Sequence, residues 1–326
     1  MIWLTWRQHR IEAAIVLGVL ALIAAITVIV GIDMRNSYTQ LGIGNCLGAG
    51  LTSSTCGDAL DAFRQQFGVW ESAVDWLNLV PALLGILIGA PLVARELEHG
   101  TQRLVWTQSV TRWRWLAIKL LLVLVGCLVA AEVLSLLITW WRQPLDTLGG
   151  RFGSQGFDFE GIALLGYVLF ALALAIAAGA LLRRAIPAMV ITLAGFLAVR
   201  LPIESHLRPY FQHPLSASFD ITASPGAGAS ISRADWQFDS YFVNQAGQRL
   251  NDRQVYDACL NNTGNGIGAT KLDFLQCVHS HGWLLNQIYQ PADRFWTFQA
   301  IETSIFVALA IALLGLTVWW VRRRLS

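Results

Sequence analysis

The sequence predicts an all-α polytopic membrane protein with six transmembrane helices. Three observations support this fold class: six long apolar runs, a low content of charged residues, and basic residues that collect in alternate loops. Of the 326 residues, 55% are hydrophobic and 13% are charged, against roughly 25% charged in ordinary soluble domains. The formal net charge of +2 is too small to indicate a nucleic-acid partner. The lipid bilayer is therefore the expected environment.

Each apolar run is long enough to cross the hydrocarbon core, which takes roughly 17–25 helical residues. We expect transmembrane helices at residues 13–31, 76–94, 115–141, 161–182, 185–201 and 298–321. Buried helices of a soluble protein are the alternative, but the chain has too little polar sequence to cover six of them. The first ten residues mix aromatic and basic side chains, so residues 1–12 are expected to lie as an amphipathic segment at the membrane interface.

Basic residues set the predicted orientation. Arg7 and Arg10 precede the first helix, and a basic cluster lies between the second and third helices. Arg183 and Arg184 fill the turn between the fourth and fifth helices, and a run of arginines closes the chain. If the helices alternate in direction, all four clusters fall on one side, which the positive-inside rule assigns to the cytoplasm. We therefore predict that both termini are cytoplasmic.

The cysteines agree with this orientation. Cys46 and Cys56 fall in the first outer loop and Cys259 and Cys277 in the last, on the side where disulfides persist, whereas Cys127 falls within the third helix. Four cysteines allow three pairings. Proximity within each loop favours Cys46–Cys56 and Cys259–Cys277.

The last outer loop is large enough for a small extracellular subdomain at residues 202–297, braced by the second disulfide. Within it, residues 216–232 are rich in Ser, Ala and Gly and are expected to form a loop, whereas residues 251–277 show intermittent helical periodicity. The remaining boundaries place the first five helices at residues 13–201, and the sixth helix with its basic C-terminus at residues 298–326. The first outer loop is expected at about residues 32–75.

Motifs of nucleotide chemistry are absent from the sequence. The chain has two lysines, and neither follows the Gly-rich loop that cradles phosphates. The sequence also lacks the common nucleophile and metal-ligand motifs of hydrolases. We therefore predict that the chain is not an enzyme, has no catalytic residues and binds no metal or cofactor. His279 and His281 are a weak candidate pair of metal ligands, and a surface loop is the favoured alternative for them.

Two acidic residues fall inside predicted helices, Glu132 in the third and Glu302 in the sixth. Carboxylates within a membrane are costly and by default suggest a functional role, such as contact with a substrate or a proton. Structural pairing with Arg142, Arg200 or Arg294 is the alternative.

The inner segment at residues 95–114 is the cytoplasmic stretch with room for an element that binds a partner. Its local chemistry suits a short helix. Gly100 can end a helix that runs on from the second membrane helix, and Thr101 can cap the next one. Glu96 and Glu98 are the acidic residues of this segment and could pair with basic residues of a partner. A solvated connector is the alternative.

This segment resembles the loop between helices 2 and 3 of ABC-2 type transporter permeases. The pattern of that family is Glu, a few residues, Gly-Thr, an apolar stretch, a basic residue and then a Lys that enters the next helix. The matching residues are Glu96 or Glu98, Gly100, Thr101, Arg112 and Lys119, and Trp106 lies in the apolar stretch between them. Many relatives have a Pro shortly before the basic residue, where this chain has Ser-Val-Thr. Residues 108–112 and the large last outer loop resemble an actinobacterial-type branch.

The resemblance implies a type V exporter-like transmembrane domain in a bacterial plasma membrane. It implies two copies of a separate ABC ATPase that bind ATP and Mg, and a second permease copy or homologue. The 95–114 loop would then be the ATPase-coupling element. The expected function is the permease subunit of an exporter for a small molecule, drug, lipid or peptide. A ligand-sensing or immunity subunit that binds an antimicrobial through its outer subdomain is the alternative, and a membrane enzyme has little support.

Overall fold

The computed structural model describes residues 2–48, 54–92, 94, 112–220, 231–261 and 271–324. Within these residues, six helices are long and apolar enough to cross a membrane, which is the predicted number. We number these six helices α1 to α6. The five uninterrupted ones are α1 (Ile2–Gln40), α3 (Arg112–Gly149), α4 (Ala163–Leu182), α5 (Ala185–Pro202) and α6 (Phe295–Arg324). The chain is thus a multi-pass membrane protein.

Helix α2 is the interrupted member of the bundle. It runs over Ser54–Leu77 and Val80–Leu84, continues in a π-helical turn at Gly85–Gly89 and is described as far as Leu92. Pro81 explains the interruption, because its ring nitrogen cannot donate a hydrogen bond to the preceding turn. The backbone N–H groups of Asn78 and Leu79 instead donate to the carbonyls three residues earlier.

The first outer loop predicted at residues 32–75 is mostly helical. Helix α1 has 39 residues, a length of about 58 Å at 1.5 Å per residue, which exceeds the roughly 30 Å of hydrocarbon core. A short helix at Ile43–Gly48 follows it, and the Cys46–Cys56 disulfide joins that helix to the start of α2. In α2, the buried Leu60, Phe63 and Phe67 repeat at helical spacing. This repeat was a signal for a helix that the loop prediction overlooked.

Helix α4 is the centre of the bundle and the most buried of the six. Small residues let its neighbours approach it closely. A Cβ atom added to Gly85 of α2 would lie 2.8 Å from the carbonyl oxygen of Ala171, and one added to Gly89 would lie 2.8 Å from the Cβ atom of Ala175. Such close backbone approach is the usual basis of helix association in membranes, where lipid removes the hydrophobic driving force.

The outer subdomain, as we call the unit predicted at residues 202–297, contains a β-sheet, so the chain is mostly helical rather than all-α. In the described residues, strands β1 (Leu215–Phe219), β2 (Trp236–Val243) and β3 (Leu284–Gln290) form an antiparallel sheet in the order β1-β3-β2. Strand β1 lies where residues 216–232 were expected to form a loop. Its five residues pair with β3, so long-range pairing outweighs the Ser- and Ala-rich composition, which disfavours a strand.

The helical part of the subdomain agrees with the periodicity of residues 251–277. Short helices occupy Asp252–Tyr256 and Lys271–Ser280, and the disulfide Cys259–Cys277 connects this region. Both disulfides therefore have the predicted pairing, and Cys127 is a buried free thiol.

Strand β3 fastens the sheet to the helix bundle. The buried Gln290 donates hydrogen bonds to the carbonyl oxygens of Pro209 and Gln212, at 2.9 and 2.8 Å, just beyond α5. The sheet thus lies at the end of the bundle where α1 and α3 end and α4 and α6 begin, which we call the sheet-bearing end. The end of α2, the start of α3 and the turn between α4 and α5 lie at the opposite end.

Candidate functional site

The ATPase-coupling residues predicted from the sequence fall outside the described residues. Glu96, Glu98, Gly100, Thr101 and Trp106 belong to residues 95–111, for which the structure gives no description. Arg112 begins α3, and its side chain is likewise outside the described part.

The described residues contain a different group of functional interest, a buried ionic cluster at the sheet-bearing end. Arg208 is its centre, with 2% of its side chain exposed. Its Nε and Nη2 atoms each donate to one carboxylate oxygen of Glu302 at 2.8 Å, and Nη2 also lies 2.7 Å from Oδ1 of Asp158. A two-point contact of this kind fixes both the position and the orientation of the carboxylate.

Tyr167 of α4 completes the centre of the cluster. Its hydroxyl donates toward Oε1 of Glu302 at 2.6 Å, and Oδ1 of Asp158 lies 3.1 Å away. Arg208 donates to the same hydroxyl oxygen at 3.2 Å. The cluster therefore joins α4, α6, the chain after α5 and the short helix Ser154–Phe159 that carries Asp158.

Arg200 extends the cluster to the interruption in α2. Its Nη2 atom lies 2.8 Å from Oδ2 of Asp158. Its two terminal nitrogens also donate to the backbone oxygen and the side-chain oxygen of Asn78, at 2.6 and 2.8 Å. Arg200 thus gives the Asn78 carbonyl a side-chain partner at the interruption of α2.

Glu204 is the outermost carboxylate of the cluster. It lies one helical turn beyond Arg200, and Oε2 is 4.0 Å from Arg200 Nε, the longest ion pair of the cluster. With Glu204, the cluster contains three carboxylates, Asp158, Glu204 and Glu302, and the two guanidinium groups of Arg200 and Arg208. Negative charge therefore exceeds positive charge by one.

A second ionic group holds the connection between α3 and α4. Arg142 pairs with Glu160 and Asp146, each at 3.1 Å, and Arg151 pairs with the other oxygen of Glu160 at 2.6 Å. Arg142 also donates to the side-chain oxygen of Gln155 at 3.2 Å, and the amide nitrogen of Gln155 donates to Asp75 of α2 at 3.0 Å. The connection is thereby fastened to both α2 and α3.

A glutamine of α6 accepts hydrogen bonds from backbone N–H groups at the start of α4, which have no partner within the helix. The side-chain oxygen of Gln299 accepts from the N–H groups of Ile162 and Ala163, at 3.1 and 2.8 Å. Its amide donates to the carbonyl oxygen of Phe157. Helix α4 therefore receives its N-terminal cap from a different helix, which strengthens the joint between α4 and α6.

A groove of about 640 Å³ lies between the ionic cluster and the sheet. The chain just after α5 forms one wall with Glu204, Arg208 and Tyr210, and strand β2 forms the other. The residues of β2 in this wall are Trp236, Phe238 and Asp239. Carboxylates and aromatic rings thus share one concave surface.

The structure also locates the other residues selected from the sequence. Glu302 belongs to the ionic cluster, but its partner is Arg208 rather than Arg142, Arg200 or Arg294. Glu132 is half-buried in α3 and is not part of this cluster.

The structure also describes the surroundings of His279 and His281. His279 lies 2.9 Å from a carboxylate oxygen of Asp220. His281 lies near Cys259 and Cys277, but the disulfide between those two sulfurs removes them as metal ligands.

Sequence reasoning missed Asp158, Tyr167, Glu204 and Arg208. A signal existed for part of the cluster, because Arg200, Glu204 and Arg208 follow one another at four-residue intervals and so share one face of a helix. Asp158 carried no such signal, since it lies in a short connecting segment.

Comparison with known proteins gives one family match. A family model described as ABC-2 membrane transporter related matches residues 17–208, which is more than half of the chain. The matched range includes most of α1 through the end of α5, and Arg208 is its last residue. No curated protein and no solved structure matches the chain.

Proposed function

The chain belongs to the ABC-2 membrane transporter related family, and from this membership we propose that it is the permease subunit of an ATP-driven exporter. The observation that carries the proposal is the family match over five of six membrane helices. In this proposal the chain forms the transport pathway and a separate ABC ATPase supplies the energy. The absence of a phosphate-binding loop from the sequence fits this division of labour.

The two ends of the bundle support the proposal in different ways. The sheet-bearing end is held together by buried ion pairs that join α5 and the chain just after it to α6 and to the short helix Ser154–Phe159. The opposite end carries the basic turn Arg183–Arg184, the end of α2 and the start of α3. Basic residues favour the cytoplasmic side, so we place that end, with both termini, in the cytoplasm of a bacterial plasma membrane.

Energy coupling in this proposal passes through α2. An ATPase that closes on ATP and Mg would push residues 95–114, to which α2 connects. Arg200 holds α2 at Asn78, and the interruption there, followed by the π-helical turn at Gly85–Gly89, is a place where the inner half can tilt against the fixed outer half. Such tilting would alternately open the pathway inward and outward.

Assembly follows from the resemblance. Six helices form half a pathway in ABC-2 permeases, so we propose two permease copies, or one copy with a homologue, on two ATPase subunits. In the described residues, α1 exposes apolar side chains such as Ile15, Leu22 and Ile29. These side chains suit lipid or a second permease copy.

A charge reversal at Glu98 tests the coupling proposal. Glu98→Arg should weaken binding of the ATPase and uncouple ATP hydrolysis from transport, because it would repel basic residues of the partner. The measurement is coupled ATPase activity of the purified complex in liposomes. Asp61→Arg is the matched control, since it makes the same charge reversal on an exposed residue of α2 at the sheet-bearing end. Full coupled activity in Glu98→Arg would refute the assigned role of this loop.

The folded outer subdomain supports a second candidate function. A sheet with a disulfide and a lined groove suits a subunit that senses or sequesters an antimicrobial ligand outside the membrane. The two candidates differ in vectorial transport. A complex that binds such a ligand but moves no solute in liposomes, even with an active ATPase, would favour the sensor.

A further inference from the structure

The groove beside the ionic cluster has the chemistry of a site for an organic cation. Its aromatic wall is continuous. The rings of Phe152 and Trp236 stack at 5.6 Å between centroids, Trp236 and Phe238 follow at 5.4 Å, and Phe238 and Tyr210 at 5.9 Å. All four residues line the groove. Aromatic faces attract cations whose charge is spread or quaternary.

Two carboxylates accompany this aromatic wall. Glu204 and Asp239 line the groove from opposite walls. Each has one weak ion pair at 4.0 Å, Glu204 with Arg200 and Asp239 with Arg249. Arg208, the cation in the lining, already pairs with Asp158 and Glu302 at 2.7 and 2.8 Å.

The charge count of the cluster also favours a cation in the groove. Asp158 and Glu302 are matched by Arg200 and Arg208, and Glu204 is the carboxylate in excess. Because a partly buried charge is screened less than an exposed one, this excess attracts a cation to the groove.

An irregularity of strand β2 turns two of these side chains to the same side. Along a regular strand, successive side chains point to opposite faces. The register of β2 against β3 shifts between Gln237 and Asp239, which leaves Phe238 without a partner residue. Phe238 and Asp239 are consecutive, yet both line the groove. Bulges of this kind commonly redirect a side chain beside a binding site.

From these contacts we propose that the groove binds an organic cation with an apolar aromatic or alkyl body. The charged centre lies between Glu204 and Asp239, and the body packs on the row of rings. The proposal rests on the proposed function only for the further step that such a cation is a transported substrate. Binding itself needs neither the ATPase nor transport.

Binding of tetraphenylphosphonium to the full chain in dodecyl maltoside micelles tests the site. Equilibrium dialysis against empty micelles removes the contribution of the detergent. Tetraphenylborate, which has the same shape and opposite charge, is the matched probe. We expect saturable binding of the cation and no binding of the anion above empty micelles. No binding of the cation beyond empty micelles would overturn the proposal.

Two variants locate the site on the protein. Glu204→Gln and Phe238→Leu should each weaken binding of tetraphenylphosphonium about 5- to 10-fold, because one removes charge attraction and the other a ring face. Glu71→Gln is the matched control, since Glu71 is also a partly buried glutamate of the sheet-bearing end and does not line the groove. Unchanged thermal unfolding in all three variants excludes misfolding. Equal affinities in the three variants would overturn the proposal.

Failure of this proposal is distinguishable from failure of the proposed function. If the cation binds at Glu204 and Phe238 but the complex transports no solute, the groove assignment stands and the exporter function fails. If the complex transports other solutes and the cation does not bind, the exporter function stands and the groove assignment fails.

Discussion

Arg208 is a charged residue in a place that charge rarely occupies. Removal of a guanidinium from water costs several kcal/mol, and paired carboxylates offset that cost only if the geometry is good. Here Glu302 and Asp158 accept from three of its N–H groups within 2.8 Å, and the ring of Phe157 lies 4.2 Å from its central carbon. Because Glu302 and Asp158 are buried, their negative charges need Arg208 as a partner for the fold to be stable.

Loss of Arg208 should therefore destabilise the protein strongly. Arg208→Leu leaves two buried carboxylates without their shared partner, and we expect the free energy of unfolding to fall by about 3–5 kcal/mol. Thermal unfolding in detergent measures the change as a lower midpoint. Arg249→Leu is the control, because Arg249 is 63% exposed and has a 4.0 Å pair with Asp239, worth about 0.2–1 kcal/mol. Equal midpoints for the two variants would contradict a stabilising role of the cluster.

At this scale the sequence predicted the unusual carboxylate but not its partner. Glu302 stood out because it interrupts an apolar run, and such a residue needs an explanation wherever it lies. Arg208 stood in a polar segment after α5, where an arginine is ordinary. Its role depends on Asp158, 50 residues away in sequence, and a contact over that distance leaves no periodic signal in either segment.

At the scale of elements, α2 packs closely on α4. Ala in place of Gly normally favours a helix by about 0.5–1 kcal/mol. At Gly85 the added Cβ would lie 2.8 Å from the Ala171 carbonyl oxygen, whereas nothing lies within 4 Å of the position at Gly126 of α3. The two substitutions are thus chemically identical and differ in available space.

We predict opposite effects for these two glycines. Gly85→Ala should lower the free energy of unfolding by about 1–3 kcal/mol, the usual cost of overpacking. Gly126→Ala should leave it unchanged or raise it slightly. Thermal unfolding of both variants in the same detergent is the measurement. A loss of stability at Gly126 equal to that at Gly85 would show that close approach of α2 and α4 is not the cause.

The disulfide of the outer subdomain has its own expected effect. Cys259 and Cys277 are 18 residues apart, and closure of a loop of that length stabilises the folded state by about 3 kcal/mol. The double variant Cys259→Ser and Cys277→Ser should make residues 202–297 sensitive to limited proteolysis while the membrane helices stay intact. Cys127→Ser is the control, because Cys127 is a free thiol. Equal resistance of the double variant and the control would contradict the bracing role.

The sequence predicted secondary-structure elements correctly where the length and apolar character of a segment determine its structure. It failed where contacts with distant parts of the chain determine it. All six membrane helices were found, because an apolar run of that length has few alternatives. The helical parts of α1 and α2 within residues 32–75 were missed because their polar residues resemble a loop, although Leu60, Phe63 and Phe67 repeat at helical spacing. Strand β1 was missed because pairing with β3 determines it.

The whole molecule is asymmetric along its long axis. Buried ion pairs, both disulfides and the sheet are gathered at one end. The other end has the basic turn Arg183–Arg184, the end of α2 and the start of α3. Disulfides persist outside the cytoplasm and basic residues favour the cytoplasmic side, so two independent chemical arguments support the proposed orientation.

Thiol labelling of intact cells tests this orientation directly. Of the five cysteines, four are in disulfides and Cys127 is buried, so the native chain should react little with a membrane-impermeant maleimide. Ser232→Cys, at an exposed position of the outer subdomain, should be labelled on intact cells. Arg184→Cys, at an exposed position of the α4–α5 turn, should be labelled only after permeabilisation. The reverse pattern would mean that the molecule has the opposite orientation in the membrane, with the coupling segment outside. That result would refute the proposed exporter function.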